Sequence, residues 1–228
     1  MGLWSSLWSG ISKVCSPIIN AVSSVLRNSP LMQKLMPVLM AVIPPPLDAI
    51  AFVALEAISA AMGKPENPDE LGWQMNEADK KPEDFDSFEE YREYLDEEYP
   101  FDKDAFDAQT DEQKSACRYI GMAGTMEELR TAKDGLEFNP ATLGVLAGAA
   151  TSLRWDPVTL KSFTEGLMTS LNGAGVSINS LGDFAKGNLG AGETGKFEQA
   201  VEEGTKTAGV GDSSSAVTDA MANSTENL

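Results

Sequence analysis

In LWSSLWSGISKVCSPIINAVSSVL, residues 3–26, the apolar side chains Trp4, Leu7, Trp8, Ile11, Val14, Ile18, Val22, Val25 and Leu26 return every three or four positions. That period belongs to one face of a helix. The opposite face is Ser5, Ser6, Ser9, Ser12, Ser16, Asn20, Ser23 and Ser24, so hydroxyls rather than lysines make its wet side. Pro17 is expected to bend this helix midway. No alternation long enough to build a sheet appears anywhere in the chain, and no fixed-period repeat is visible, so the expected fold is all-α.

The same reading extends outward. Ser29-Pro30 offers an N-cap followed by a first-turn proline, which opens a helix over Leu31–Ile43 with Pro37 as a second expected kink. Pro44-Pro45-Pro46 ends it. A third helix over Leu47–Met62 is apolar nearly all round and stops at Gly63, a C-cap glycine. From Met1 to Gly63 the only charges are Lys13, Arg27, Lys34, Asp48 and Glu56, a net of +1, whereas the whole chain of 228 residues carries -18. The remaining residues therefore hold -19, and such asymmetry suggests that the two parts meet different surroundings.

Beyond Gly63, composition divides the chain into an acidic proline-containing linker (64–85), an acidic helical domain (86–204) and a flexible Gly/Ser-rich tail (205–228), after the apolar helical region 1–63. Within the linker, Trp73 and Met75 are the residues able to dock locally. Ser87 and Glu90 form a capping box that opens a helix from Phe88 to Tyr99, with Phe88, Tyr91, Leu95 and Tyr99 on one face. Helical patterns follow over Asp111–Met122, Thr125–Ala132, Pro140–Leu153 and Asp156–Leu171, and Phe184 anchors a short one. The tail is too poor in large apolar groups to offset chain entropy.

Composition also removes functions. With no histidine, Ser-His-Asp and Cys-His catalysis and histidine metal sites are excluded. A pI near 4.3 argues against nucleic-acid binding, which depends on displacing counterions with lysine and arginine. Cys15 and Cys117 lie in different surroundings and are read as reduced. Cys117, beside Arg118 and Tyr119, is the one thiol worth weighing as a nucleophile, although Ala116 and Ile120 mark it as a buried small hydrophobe. Gly190-Ala-Gly192-Glu-Thr-Gly195-Lys196 imitates a phosphate loop, but Phe197 replaces the hydroxyl residue, Glu193 sits in the loop and no strand precedes it, so it reads as a glycine-rich linker. Asp102, Asp104, Asp107 and Asp111 suggest calcium, but the EF-hand register fails at Asp107 and Gln113, leaving a solvated acidic face. No carboxylate pair can be selected for acid/base work. Neither a catalytic residue, nor a cofactor, nor a metal is expected.

The informative feature is the apolar N-terminal quarter. Tryptophans at 4 and 8 with serines opposite suit a helix lying in a bilayer interface or packed on a partner. A clean span is disfavoured, since Leu47–Met62 runs only about 24 Å against a ~30 Å hydrocarbon core and contains Asp48 and Glu56. Two apolar segments hinged at three prolines read either as a re-entrant hairpin or as a buried one. The contact residues expected for a bilayer or hydrophobic protein partner are Trp4, Leu7, Trp8, Ile11, Val14, Ile18, Leu35, Leu39, Ile43, Ile50, Phe52 and Val53. Met1-Gly2-x-x-x-Ser6 fits the myristoylation pattern, and the apolar start lacks the basic flank and cleavage site of a secretory signal.

Two functions from different classes follow. In the first, a non-enzymatic membrane-active protein inserts residues 1–62 in, or coats with them, a bilayer. In the second, a structural assembly component packs those helices into a partner or into copies of itself as a homo-oligomer. The opening Met1-Gly2-Leu3-Trp4-Ser5-Ser6-Leu7-Trp8 resembles the start of small viral and phage virion proteins. That resemblance implies a penetration or ejection protein, or a delivered effector, in the first reading, and a virion component in the second. The expected location is accordingly membrane-associated or in a virion.

Overall fold

The computed structural model describes residues 15–45, 47–64, 67–131 and 138–225. Those residues form thirteen α-helices and two short 3-10 turns, with no strand among them, so the fold is all-α. The expected contact residues Trp4, Leu7, Trp8, Ile11 and Val14 lie outside the described residues. The helices are α1 (Cys15–Ala21), α2 (Ser24–Arg27), α3 (Pro30–Val42), α4 (Asp48–Ala61), α5 (Pro68–Glu77), α6 (Phe88–Glu98) and α7 (Lys103–Asp107). They continue as α8 (Asp111–Thr131), α9 (Pro140–Leu153), α10 (Pro157–Ala174), α11 (Leu181–Ala185), α12 (Ala191–Ala208) and α13 (Ser214–Ser224). The chain divides into two compact units, one of Met1–Asp48 with Glu66–Glu137, the other of Ala49–Pro65 with Phe138–Leu228. This differs from the division by composition, because the apolar N-terminal quarter supplies helices to both units.

The first unit is organised around α8. From Ser115 to Met126 every residue of this helix except Arg118 is buried, and α5, α3 and α1 pack against it. Its small residues make that possible. A Cβ added at Gly121 would land on the Pro68 carbonyl of α5, and one at Gly72 on the Cys117 carbonyl of α8, so the two backbones cross at a distance that only glycine permits. Around the crossing lie Leu71, Met75, Tyr119, Ile120 and Met122, all fully buried.

The expected linker is overturned here. Asn67 caps α5 by accepting from the backbone N–H of Asp69 and Glu70 at 3.1 and 3.4 Å, Pro68 takes the first helical position, and both acids sit in the first turn. Proline and carboxylates resemble a linker in composition, but at a helix N-terminus they match the missing donor and the helix dipole. Trp73 docks on Phe101, edge to face at 5.7 Å. Ser87 caps α6 as expected, accepting from the Glu90 N–H at 3.1 Å, while the Glu90 carboxylate takes the Asp86 N–H rather than that of Ser87. The two patterns expected on either side of Gly124 are one continuous helix, α8.

In the second unit α10 and α12 form the principal pair, α9 packs on α13, and the stacked rings of Phe184 and Phe197 lie 5.0 Å apart. Glycine again sets the approach, since a Cβ at Gly204 would meet the Phe163 carbonyl at 2.8 Å. The stretch that reads as a glycine-rich linker is the N-terminal part of α12, with Gly190 as its N-cap. The flexible tail is also overturned. α12 runs to Ala208 and ends on Gly209 in the left-handed conformation (φ 64°). Ser213 then caps α13, which buries Val217, Ala220 and Met221. Small side chains let α13 sit close to Gly148, where Ser224 Oγ donates to the Val145 carbonyl at 3.3 Å, so three modest side chains suffice to fix it.

Gly72→Ala or Gly121→Ala is expected to cost about 3 kcal/mol or more, because backbone atoms must move apart. Gly173→Ala, in a helix with open space around it, is expected to stabilise by up to about 1 kcal/mol. Urea denaturation midpoints of the three variants measure both effects.

Candidate interaction surface on the N-terminal helices

The turns between α1, α2 and α3 are fastened by side chains. Asn76 accepts from the Ser23 N–H at 2.8 Å and donates to the Ala21 carbonyl at 3.3 Å, tying the α1–α2 turn to α5. Ser29 caps α3, and Glu83 accepts from both the Ser29 hydroxyl and the Leu31 N–H at 2.8 Å, placing a carboxylate at the helix N-terminus. The helix then runs through Pro37 to Val42.

Met32, Met36, Leu39 and Met40 of α3 and its C-cap Ile43 point into the core of the first unit, each no more than 5% exposed. A second apolar row, Leu31, Leu35, Val38 and Val42, follows the i, i+4, i+7, i+11 spacing and is partly exposed, with Val38 at 41%. Gln33 and Lys34 leave only a narrow polar strip. A one-faced surface helix carries polar groups opposite its core side; α3 instead carries more apolar surface than its core uses. Beside it, Ile19, Val22, Arg27, Met32, Gln33 and Met36 line a small apolar groove of about 40 Å3.

The residues expected from the sequence to meet lipid or a partner are therefore divided. Ile18, Leu39 and Ile43 are buried in the first unit, Leu35 lies on the outer row of α3, and Ile50, Phe52 and Val53 are half-buried in the second unit. The core residues of α4 are instead Ala51, Ala54, Leu55, Ala57 and Ile58, all fully buried, with Glu56 paired to Lys161 at 3.0 Å. The two segments read as a hairpin contribute to different units. Among the described residues, no helix is long and apolar enough to cross a membrane.

A polar cluster that periodicity did not reveal lies on α8. Asp48, 4% exposed, accepts from Ser115 Oγ at 2.7 Å and faces Arg118 at 3.7 Å, while Arg118 Nε lies 3.3 Å from Asp69. Tyr119 donates to the Ile43 carbonyl at 2.5 Å. The spacing 115, 118, 119 on one helix was the available signal, but Asp48 lies 67 residues from Ser115 and nothing local joins them.

The remaining chemical candidates are engaged structurally. Cys117 is fully buried and its thiol is pushed up to about 12, by burial first and then by the Asp69 and Glu77 charges, so no thiolate forms near neutrality. Lys196 donates to the Ala174 carbonyl at 3.1 Å. Asp102 caps α7 through the Ala105 N–H at 2.9 Å, and Asp107 pairs with Lys103. An open concavity of about 510 Å3 in the second unit, between α12 and α13, is lined by exposed or partly exposed polar groups such as Glu198, Gln199, Glu202, Thr218 and Asp219.

Alkylation of Cys117 in the native full chain is expected to be slower than in the urea-unfolded chain by on the order of a hundredfold or more at pH 8. Peptide mass spectrometry of both samples gives the ratio. Comparison with known proteins gives no match: no family model, no curated protein and no solved structure is similar to this chain.

Proposed function

We propose that this chain is a non-catalytic, peripheral membrane-binding protein that approaches a bilayer with its N-terminal apolar surface. The observation that carries the reading is the outer row Leu31, Leu35, Val38 and Val42 on a helix whose other side already fills a core. The sequence adds the apolar side chains Trp4, Leu7, Trp8 and Ile11 within residues 1–14, ahead of α1. Tryptophan rings suit the headgroup level, where an apolar body and one N–H are both accommodated.

Charge supplies no attraction to an anionic surface, because α1–α3 share their unit with the acidic residues 66–137 and the chain as a whole carries -18. Attraction then rests on apolar transfer, and neutral lipid is the better partner. Burial of Ile18, Leu39 and Ile43 argues for lying on the bilayer through side chains that are not needed inside, and against unfolding residues 15–62 into it.

Flotation with zwitterionic vesicles tests this. The full chain should float and survive a high-salt wash. Since each apolar side chain transferred contributes roughly 1.5–3 kcal/mol, Trp4→Ser with Trp8→Ser, or Leu35→Ser with Val38→Ser, should each lower the bound fraction about tenfold or more at unchanged far-UV circular dichroism. A full chain that stays at the bottom of the gradient and elutes as a discrete oligomer overturns the membrane reading in favour of assembly.

A further inference from the structure

The connection from α3 to α4 contains Pro44, Pro45 and Pro46, and a proline run offers no backbone N–H with which to fasten a turn. Within the turn, the Leu47 N–H donates to the Pro44 carbonyl at 2.9 Å. The further grip comes from α8. Tyr119 holds the carbonyl of Ile43 before the prolines, and Ser115 and Arg118 hold the carboxylate of Asp48 after them. Three side chains within one and a half turns of a buried helix thus bracket the whole connection.

Arg118 serves a second carboxylate. Asp69, in the first turn of α5 and with its side chain 19% exposed, lies closer to the guanidinium than Asp48 does, at 3.3 Å against 3.7 Å. Two carboxylates and one guanidinium leave a net negative charge in a poorly hydrated place. Asp69 Oδ1 is itself buried and receives no hydrogen bond of good geometry, so nothing but charge compensates it. The titratable and charged groups facing it are Arg118, Lys114 and Cys117 of α8 and Asp48 at the start of α4, with Tyr119 beside Asp48. Burial keeps Cys117 and Tyr119 neutral across the physiological range, raising both well above their ordinary values.

We propose that Asp69 is a proton-operated competitor for Arg118: acidification neutralises it, leaves the guanidinium to Asp48 and tightens the hold of α8 on the proline turn. Burial is the largest influence on Asp69 and raises it to about 6, Arg118 opposing and Asp48 adding to the rise. The folded value lies above the unfolded one of roughly 4, so between these values the folded chain binds more protons. The stabilisation is complete below about 4 and lost as pH rises through 6. This runs opposite to an ordinary ion-paired carboxylate, whose contribution disappears on acidification. The device is independent of lipid binding, since it concerns the hold on the turn between Ile43 and Asp48 rather than the outer row of α3.

The test uses the full chain and two variants that remove the same charge, Asp69→Asn and the exposed Glu97→Gln. Wild type and Glu97→Gln should be more stable to urea at pH 5.0 than at pH 7.5, and Asp69→Asn should flatten that difference. Hydrogen exchange at the Leu47 amide, which donates to the Pro44 carbonyl within the held turn, should slow on the order of tenfold at pH 5.0 in wild type once corrected for the intrinsic pH effect, and already be slow at pH 7.5 in Asp69→Asn. Carboxyl-carbon NMR on the wild type should place the Asp69 midpoint near 6, a measurement that decides the matter even if the variant does not fold. A midpoint near 4, or an Asp69→Asn profile parallel to that of Glu97→Gln, overturns the proposal.

Discussion

The glycine crossing of α5 over α8 is the constraint on which the first unit depends. Because Gly121 lies against the Pro68 carbonyl and Gly72 against that of Cys117, the two backbones approach closely enough for α8 to be buried along most of its length. A helix buried on all sides needs partners on all sides, and α1 and α3 fill two of them. The apolar N-terminal helices are thus claimed first by the core. The same arrangement brings Ser115, Arg118 and Tyr119 to the proline turn, so close packing and the buried ionic cluster are two results of one geometry.

That priority shapes the functional reading. Met32, Met36, Leu39, Met40 and Ile43 are committed to the interior, and what remains for a bilayer is the outer row of α3 together with the tryptophan-bearing segment before α1. A surface of this extent suits reversible attachment to a membrane surface. Insertion of the whole N-terminal quarter would require dissolving the core around α8 and breaking the hydrogen bonds that Asn76 and Glu83 make to the α1–α3 turns.

Much of the fold was legible because helix signals are local. The caps at Ser29 and Ser87, the stop at Gly63 and the helix over Pro140–Leu153 each depend on a few adjacent residues. The failures have a common physical cause. By composition Asn67-Pro68-Asp69-Glu70 reads as a linker and residues 205–228 as a tail, because composition ignores position: proline in a first helical turn, or a serine against Gly148, packs well where the average character of the segment says otherwise. The site was legible only in outline. Periodicity located the apolar helices but could not say which apolar row faces inward, since α3 carries two. The Asp48 cluster joins residues far apart in the chain, which no local pattern records.

Hydrogen exchange of the full chain with and without zwitterionic vesicles tests the central claim most directly, that the N-terminal helices keep their core side in the first unit while offering the other to lipid. Amides of α1, α3 and α8 should retain their slow exchange on vesicle binding, with added protection confined to residues 1–14 and the outer row of α3. Loss of protection through α3 and α8 in the presence of vesicles would mean that the helices leave the core to insert, and would contradict the account.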